Sequence, residues 1–170
     1  MAACQLEHPD PNSPLALTTD VSGYALRGVL EQFSRGQWRP LGFWSRHLKP
    51  DKQRWTTFRR ELVAIKDGIR HFISEIDGRP LTVFTDHKPI LGAFENPLSQ
   101  QYDEIAMNHL EEIGQRTNDV RYLPGRSNQR ADWLSRRGQK PGTAYQVNQD
   151  RDKTDQLAAI QEVATEIISH

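Results

Sequence analysis

The chain has one cysteine and no apolar stretch long enough to cross a bilayer. Cys4 is the single cysteine among 170 residues, so an internal disulfide and a cysteine-based zinc site are both excluded. The first residues lack the basic start and the following apolar segment of a secretory signal. These absences favour a soluble intracellular protein, and we expect no membrane among its partners.

Net charge is also absent, because 22 Lys and Arg are balanced by 22 Asp and Glu. A neutral chain favours no particular partner. Between Arg35 and Arg60, however, eight Lys or Arg stand against one Asp, a local net charge of +7. Together with Trp38, Trp44 and Trp55, this basic zone has the composition of a phosphate-backbone binder. Composition alone favours the alternative, a solvated loop and helix start with the tryptophans in the core.

Apolar periodicity predicts an α/β domain. Residues 15–20, 24–33 and 38–47 read as three strands of an antiparallel meander. Apolar residues spaced by three and four predict a long helix over 54–76, with Phe58, Ile73 and Ile76 on its buried stripe and Glu61 at the edge of that stripe. A fourth strand (81–86), two helices (88–94 and 102–114), a fifth strand (119–123) and a short helix (129–136) follow.

The flanks differ from this central part. Residues 1–14 contain three prolines and predict a leader or linker, and residues 15–137 form the predicted domain. Residues 138–170 predict a linker and an amphipathic helix over 153–168. The apolar stripe of that helix is expected to pack on another surface, and a second copy of the chain is one partner that we leave open.

Acids stand at the ends of two predicted strands. Asp20 and Asp86 each end an apolar segment, and ligands of α/β sheets gather at such strand ends. Glu61 and Asp132 could join them from two helices. Clustered carboxylates repel one another unless cations lie between them, and oxygen ligands suit Mg²⁺ or Mn²⁺. Taken singly, each acid is better explained as a turn former, a helix cap or a solvated surface residue, and spacing does not show that they converge.

Four motifs resemble those of the ribonuclease H domains in gypsy-type LTR retrotransposon polyproteins, and they occur in that family's order. They are LTTDVSGYA at 17–25, RELVAI at 60–65, FTDHKPI at 84–90, and YLPG at 122–125 followed by NQRADWLSR at 128–136. The resemblance implies a ribonuclease H-like α/β fold. That fold is a five-stranded mixed sheet, with its first three strands antiparallel, flanked by helices and followed by a C-terminal helix.

The same resemblance implies endonucleolytic hydrolysis of the RNA strand of RNA–DNA hybrids, leaving a 5′-phosphate and a 3′-hydroxyl. Four acids are implied as catalytic ligands of two Mg²⁺ (or Mn²⁺) ions: Asp20, Glu61, Asp86 and Asp132. Four polar residues are weaker expected contacts to the hybrid, whose 2′-hydroxyls mark the RNA strand: Ser22, Thr57, His87 and Asn128. No second histidine stands at ligand spacing from His87, so hydrogen bonding suits that residue better than metal binding.

The loop over 124–129 lacks the histidine that cellular ribonucleases H carry there, as is common in the gypsy-type group. The implied partners are the reverse transcriptase and integrase regions of the same polyprotein. The implied location is a cytoplasmic virus-like particle, with the nucleus as the alternative. A catalytically silent module, host-retained or connection-like and binding nucleic acid or protein, remains the competing hypothesis. A plain structural α/β domain would leave the motifs as coincidence, and the presence of all four acids favours the nuclease.

Overall fold

One mixed sheet organises the computed structural model, which describes residues 6–96 and 102–124. Its strands are β1 (Leu15–Val21), β2 (Ala25–Ser34), β3 (Gln37–His47), β4 (Leu81–Thr85) and β5 (Val120–Tyr122). They lie in the order β3-β2-β1-β4-β5. The first three strands pair antiparallel, whereas β4 pairs parallel with both β1 and β5. The predicted five-stranded mixed sheet, with three antiparallel strands first, is confirmed.

The central strands are buried on both faces, as parallel strands covered by other elements usually are. In β1, Leu15 and Leu17 join the main core on one face, and Ala16 between them joins a smaller cluster on the other face. Trp38 and Phe84 complete that smaller cluster. Alternation along the strand therefore divides the apolar residues between two cores.

Helices cover the face of the main core. They are α1 (Pro50–Gln53), α2 (Thr57–His71), α3 (Ile73–Ile76), α4 (Lys88–Glu95) and α5 (Glu104–Gly114). Helix α5 begins after Asp103, whose side chain caps it by accepting a hydrogen bond from the backbone N–H of Ala106. Within the described ranges, no helix is both long enough and apolar enough for a membrane span.

The single helix predicted over 54–76 starts too early and is interrupted at Phe72, whereas its predicted end at Ile76 is the end of α3. Thr56 caps α2 by accepting a hydrogen bond from the backbone N–H of Arg59, so α2 begins at Thr57. The backbone of Phe72, with φ −102° and ψ 25°, leaves the helical region and separates α2 from the single turn of α3. Ile73, predicted on the buried stripe, is 37% exposed as a result.

Two of the three tryptophans of the basic zone lie in the core, as the structural alternative predicted. Trp38 and Trp44 are buried, and Trp55 is half-buried. The indole of Trp44 fills the space over Gly28 and Gly68, where any Cβ atom would overlap the ring. These two glycines therefore allow β2 and α2 to approach the same side chain.

Residues 7–14 are held along one edge of the sheet, which we call the amino edge: the starts of β1 and β4 and the end of β2. The side-chain amide of Gln32 accepts a hydrogen bond from the backbone N–H of Asp10 and donates one to the carbonyl of His8, at 2.9 and 2.7 Å. Arg79 donates to the carbonyls of Asp10 and Ser13. This segment is thus hydrogen-bonded to the domain that follows it.

Candidate active site

Three of the four predicted acids meet at the opposite edge of the sheet. We call it the carboxyl edge: the ends of β1, β4 and β5 with the first turns of α2. Thr18 of β1 pairs with Phe84 of the parallel strand β4. Asp20 and Asp86 each lie two residues beyond that pair, so the register brings both acids to the same edge.

Glu61 reaches this edge from the second turn of α2, which packs against β1. Only 4% of the residue is exposed, so it is buried more deeply than its predicted place at the edge of the apolar stripe. Burial raises the pKa of Glu61 to about 8, and the negative charges of Asp86 and Asp20 add to this increase. Because the charges of both aspartates act on the pKa of Glu61, the three carboxylates lie in the same part of this edge.

One oxygen of the Glu61 carboxylate has no hydrogen-bond partner among the described residues. Oε2 of Glu61 is buried, and nothing in the described part of the chain donates to it. A buried carboxylate oxygen without a donor is unfavourable, and a cation would compensate for the missing donor. A set of carboxylate oxygens suits Mg²⁺ or Mn²⁺. The donor chemistry and the orphaned oxygen therefore fit a divalent cation.

The acids do not form a closed cage. Within residues 6–96 and 102–124, no group of three His, Cys, Asp or Glu side chains is arranged to enclose a metal ion. Asp20 instead faces Arg27, with Oδ2 and Nη1 3.6 Å apart. Asp132, the fourth predicted ligand, lies outside the described residues, as does Asn128.

Ser22 and Thr57, two of the expected hybrid contacts, also lie at the carboxyl edge. The Ser22 hydroxyl accepts a hydrogen bond from the backbone N–H of Ala25 and donates to its carbonyl, and so closes the turn between β1 and β2. Thr57 is exposed at the start of α2, and its hydroxyl accepts from Arg60 at 3.4 Å. The hydroxyl of Ser22 is therefore bonded within the β1–β2 turn, whereas Thr57 is an exposed residue whose hydroxyl contacts the side chain of Arg60.

His87 follows Asp86 and caps α4 without a side-chain hydrogen bond. Its ring lies 6.2 Å from that of Phe58, and burial lowers the pKa of the imidazole, while the charge of Asp86 partly opposes this shift. The imidazole is therefore held in its neutral form near pH 7, in which it can both donate and accept a hydrogen bond.

Sequence reasoning missed a contact that anchors this edge. Arg60 of α2 donates to the carbonyl of Ser22 at 3.0 Å and so ties the helix that carries Glu61 to the turn that follows Asp20. The position of Arg60 directly before Glu61 could have indicated this contact. In the sequence it was counted only as one of the charges of the basic zone.

Half of the eight basic residues of the basic zone are engaged by the fold. Three form ion pairs with acids from distant parts of the chain: Arg39 with Glu7, Arg46 with Asp67, and Arg59 with Asp103. Arg60 is the fourth, through the Ser22 carbonyl. For these four side chains the contacts favour a structural role over binding of a phosphate backbone.

Comparison with known families identifies the class of this domain. The family described as "RNase H-like domain found in reverse transcriptase" matches residues 10–110. The chain therefore belongs to the RNase H-like domains of reverse transcriptases. This finding confirms the family that the four motifs indicated.

Curated relatives place the domain among retrotransposon proteins. The chain is 35% identical over 133 residues to the Pol polyprotein of transposon 412 from Drosophila melanogaster, and 33% identical over 132 residues to that of transposon gypsy from the same organism. Each match covers 77% of this chain but only 10% and 12% of the polyproteins. The chain thus spans about a tenth of the length of these relatives.

Solved structures confirm the ribonuclease H fold. The RNase H1 of the halophilic archaeon Halobacterium salinarum superposes with a TM-score of 0.52 at 11% identity, over 72% of this chain and 92% of that one. A foamy viral protease–reverse transcriptase in complex with RNA/DNA hybrid superposes with a TM-score of 0.51 at 16% identity, over 84% of this chain and 18% of that one. At these identities the likeness concerns the fold alone.

Proposed function

We propose that this domain hydrolyses the RNA strand of RNA–DNA hybrids as part of a retrotransposon reverse transcriptase. One observation carries the proposal: Glu61 is a buried carboxylate with an oxygen to which no described residue donates, at the edge where Asp20 lies near the end of β1 and Asp86 follows β4. These three acids, with Asp132 from the family motif, are the proposed ligands of two Mg²⁺ or Mn²⁺ ions. Such ions, when bound, polarise the scissile phosphate and activate a water molecule.

The protein contributes positions that the fold makes rigid. Asp20 and Asp86 are fixed by the pairing of β1 with β4, and Glu61 is fixed by the packing of α2 on β1. Arg60 holds the α2 backbone to the β1–β2 turn. Catalytic groups on strands and packed helices are held more accurately than groups on loops.

The proposed substrate and partners follow from the family. The foamy viral relative of this fold was solved with an RNA/DNA hybrid. For this chain we propose that Thr57 and His87 contact the hybrid, with Ser22 and Asn128 as weaker assignments. The reverse transcriptase and integrase regions of a common polyprotein are its proposed partners, and a cytoplasmic virus-like particle is its proposed location.

A second function has one observation in its favour. The absence of a preformed cage among the described side chains is also what a silent module that binds nucleic acid or protein would show. Such a module would have no use for a buried acid with a raised pKa, because that acid destabilises the fold. The burial of Glu61 therefore favours the nuclease.

Cleavage of a labelled RNA–DNA hybrid in Mg²⁺ or Mn²⁺ tests the proposal. The parent chain should cleave the RNA strand and Asp86→Asn should not, because the substitution removes a proposed ligand. Asp86 is exposed, so its replacement should leave the fold intact. Asp77→Asn, at an exposed residue that follows α3, is the matched control and should cleave as the parent does. A folded parent that binds the hybrid without cleaving it would support the silent module, and equal cleavage by Asp86→Asn would place the activity elsewhere.

A further inference from the structure

A lysine lies over an aromatic ring at the carboxyl edge. The ammonium Nζ of Lys88 lies 4.9 Å from the centre of the Tyr122 ring, within the range of a cation–π interaction. Lys88 is exposed, and Tyr122 is 39% exposed. The pair therefore faces solvent and does not belong to the core.

Strand pairing fixes this pair next to Asp86. Tyr122, the last residue of β5, pairs with Thr85, the last residue of β4, and Asp86 follows directly. The backbone N–H of Leu123 donates to the carbonyl of Thr85 at 2.9 Å and holds the two strand ends together. Lys88 stands two residues after Asp86, so a positive charge adjoins the proposed metal-binding carboxylates.

Apart from the contact with Tyr122, the described part of the fold gives no stabilising reason for a lysine at this position. Lys88 is the first residue of α4, where a positive charge opposes the helix dipole. Within the described part of the chain its ammonium group forms no ion pair with an acid. The interaction with Tyr122 limits the positions of the side chain without neutralising its charge.

We propose that Lys88, oriented by Tyr122, binds a backbone phosphate of the RNA–DNA hybrid at the carboxyl edge. The assignment rests on the proposed function and adds to it the point at which the phosphate backbone is held. A phosphate contact fixes the register of the nucleic acid and carries no sequence information. Lys88 is accordingly a binding residue for every hybrid sequence.

A second cation–aromatic group, at Trp55 just before α2, differs in two respects. Lys52 and Arg59 both lie 5.2 Å from the ring centre of Trp55, but Arg59 is already paired with Asp103. Trp55 also packs against the main core, whereas Tyr122 belongs to neither apolar cluster of the described residues. Arg59 and Trp55 are therefore held by the fold, and Lys88 forms no ion pair with any described acid.

The salt dependence of hybrid binding tests the proposal. Binding of a fluorescently labelled RNA–DNA hybrid to the full chain is measured over a series of salt concentrations, with EDTA to prevent cleavage. Lys88→Gln should reduce the slope of log affinity against log salt by about one, because one phosphate contact is lost. In cleavage assays the same variant should raise KM and leave kcat unchanged.

Three further variants separate this contact from a general effect of charge. Arg35→Gln removes one exposed positive charge from the β2–β3 turn at the amino edge and should leave the slope unchanged. Tyr122→Phe keeps the ring and should behave as the parent does. Tyr122→Leu removes the ring and should weaken binding in the same direction as Lys88→Gln.

The outcomes distinguish this proposal from the proposed catalysis. An unchanged slope for Lys88→Gln, or an equal change for Arg35→Gln, would overturn the role of Lys88 and leave the nuclease standing. A parent that binds with the Lys88-dependent slope but never cleaves would support Lys88 as a contact and refute the catalysis. A folded parent that does not bind the hybrid would overturn both.

Discussion

At the amino edge of the sheet the amide of Gln32 is buried with its oxygen and its nitrogen both hydrogen-bonded, whereas at the carboxyl edge Glu61 is buried with one oxygen unpartnered among the described residues. Both side chains are at least 95% buried. A buried polar group with its partners contributes to stability, and one without them opposes folding. The first edge therefore serves the fold, and the second carries an unfavourable group whose charge a bound cation would compensate.

This difference indicates that the carboxyl edge is the functional one. Perturbed carboxylates concentrate at functional sites, although structural networks also produce them. Here the perturbed acid lies with Asp20 and Asp86, and the chain belongs to a reverse-transcriptase RNase H-like family. Substitutions at one edge should leave the role of the other edge unchanged.

The largest effect is expected for cleavage by Glu61→Gln. Loss of a charged ligand of the proposed metal site should reduce kcat/KM roughly 1000-fold, which corresponds to about 4 kcal/mol of transition-state stabilisation. Steady-state cleavage of the labelled hybrid provides the measurement. Glu111→Gln, the same change at an exposed residue of α5, is the control and should cleave normally. Retained activity in Glu61→Gln would remove this residue from the site.

An effect of similar size is expected in the pH dependence of stability without metal. The pKa of Glu61 is raised from its ordinary value of 4.5 to about 8, so its contribution is fully present below pH 4.5 and is lost as the pH rises towards 8. At about 1.4 kcal/mol per pKa unit, this contribution is on the order of 5 kcal/mol.

Urea unfolding of the parent and of Glu61→Gln in EDTA, at several pH values, checks this dependence. The unfolding free energy of the parent should fall across that range relative to the variant. Parallel pH profiles for the two proteins would show that Glu61 does not titrate in this window.

Gln32→Leu should lower the unfolding free energy by about 2 kcal/mol, because the backbone N–H of Asp10 and the carbonyl of His8 lose their partner. Its kcat should match that of the parent, since the change lies at the opposite edge. Urea unfolding and hybrid cleavage measure the two quantities. Gln37→Leu, at an exposed position of β3, is the control for the loss of an amide. A fall in kcat for Gln32→Leu would show that the two edges are coupled.

The smallest effect is expected for Arg79→Gln, at about 1 kcal/mol. The substitution removes hydrogen bonds to the carbonyls of Asp10 and Ser13, but the site is only partly buried. Arg116→Gln breaks an exposed pair with Asp77 and should change stability by less than Arg79→Gln does. Equal values for the two variants in urea unfolding would mean that Arg79 does not hold residues 7–14.

The carboxyl edge was more predictable from sequence than the amino edge. Asp20 and Asp86 end short apolar segments, and the parallel pairing of such strands brings their ends together. At the amino edge, three prolines indicated a linker, because nothing in residues 1–14 shows that Gln32 bonds their backbone. Contacts between distant residues leave no local pattern.

Local sequence patterns also failed to predict which residues are buried and which charges form pairs. Ile73 fits the helical spacing, and only the break at Phe72 exposes it. The helical spacing placed Glu61 at the border of the apolar stripe of α2. The packing of α2 against β1 buries it. The basic zone has a net charge of +7 only when its own residues are counted. Asp67 and Asp103 lie outside the zone in sequence but pair with two of its arginines in the fold. Asp132 stays a prediction from the family motif.

The most direct test is the response of stability to Mg²⁺ at pH 8. Unfolding of the parent and of Glu61→Gln is compared in EDTA and in Mg²⁺ at about ten times the dissociation constant, where binding to the folded chain should add about 1.4 kcal/mol. We expect the variant to be more stable than the parent in EDTA, and Mg²⁺ to stabilise the parent far more than the variant. A variant less stable than the parent in EDTA, or an equal response of both proteins to Mg²⁺, would contradict a cation-binding role for the buried carboxylate.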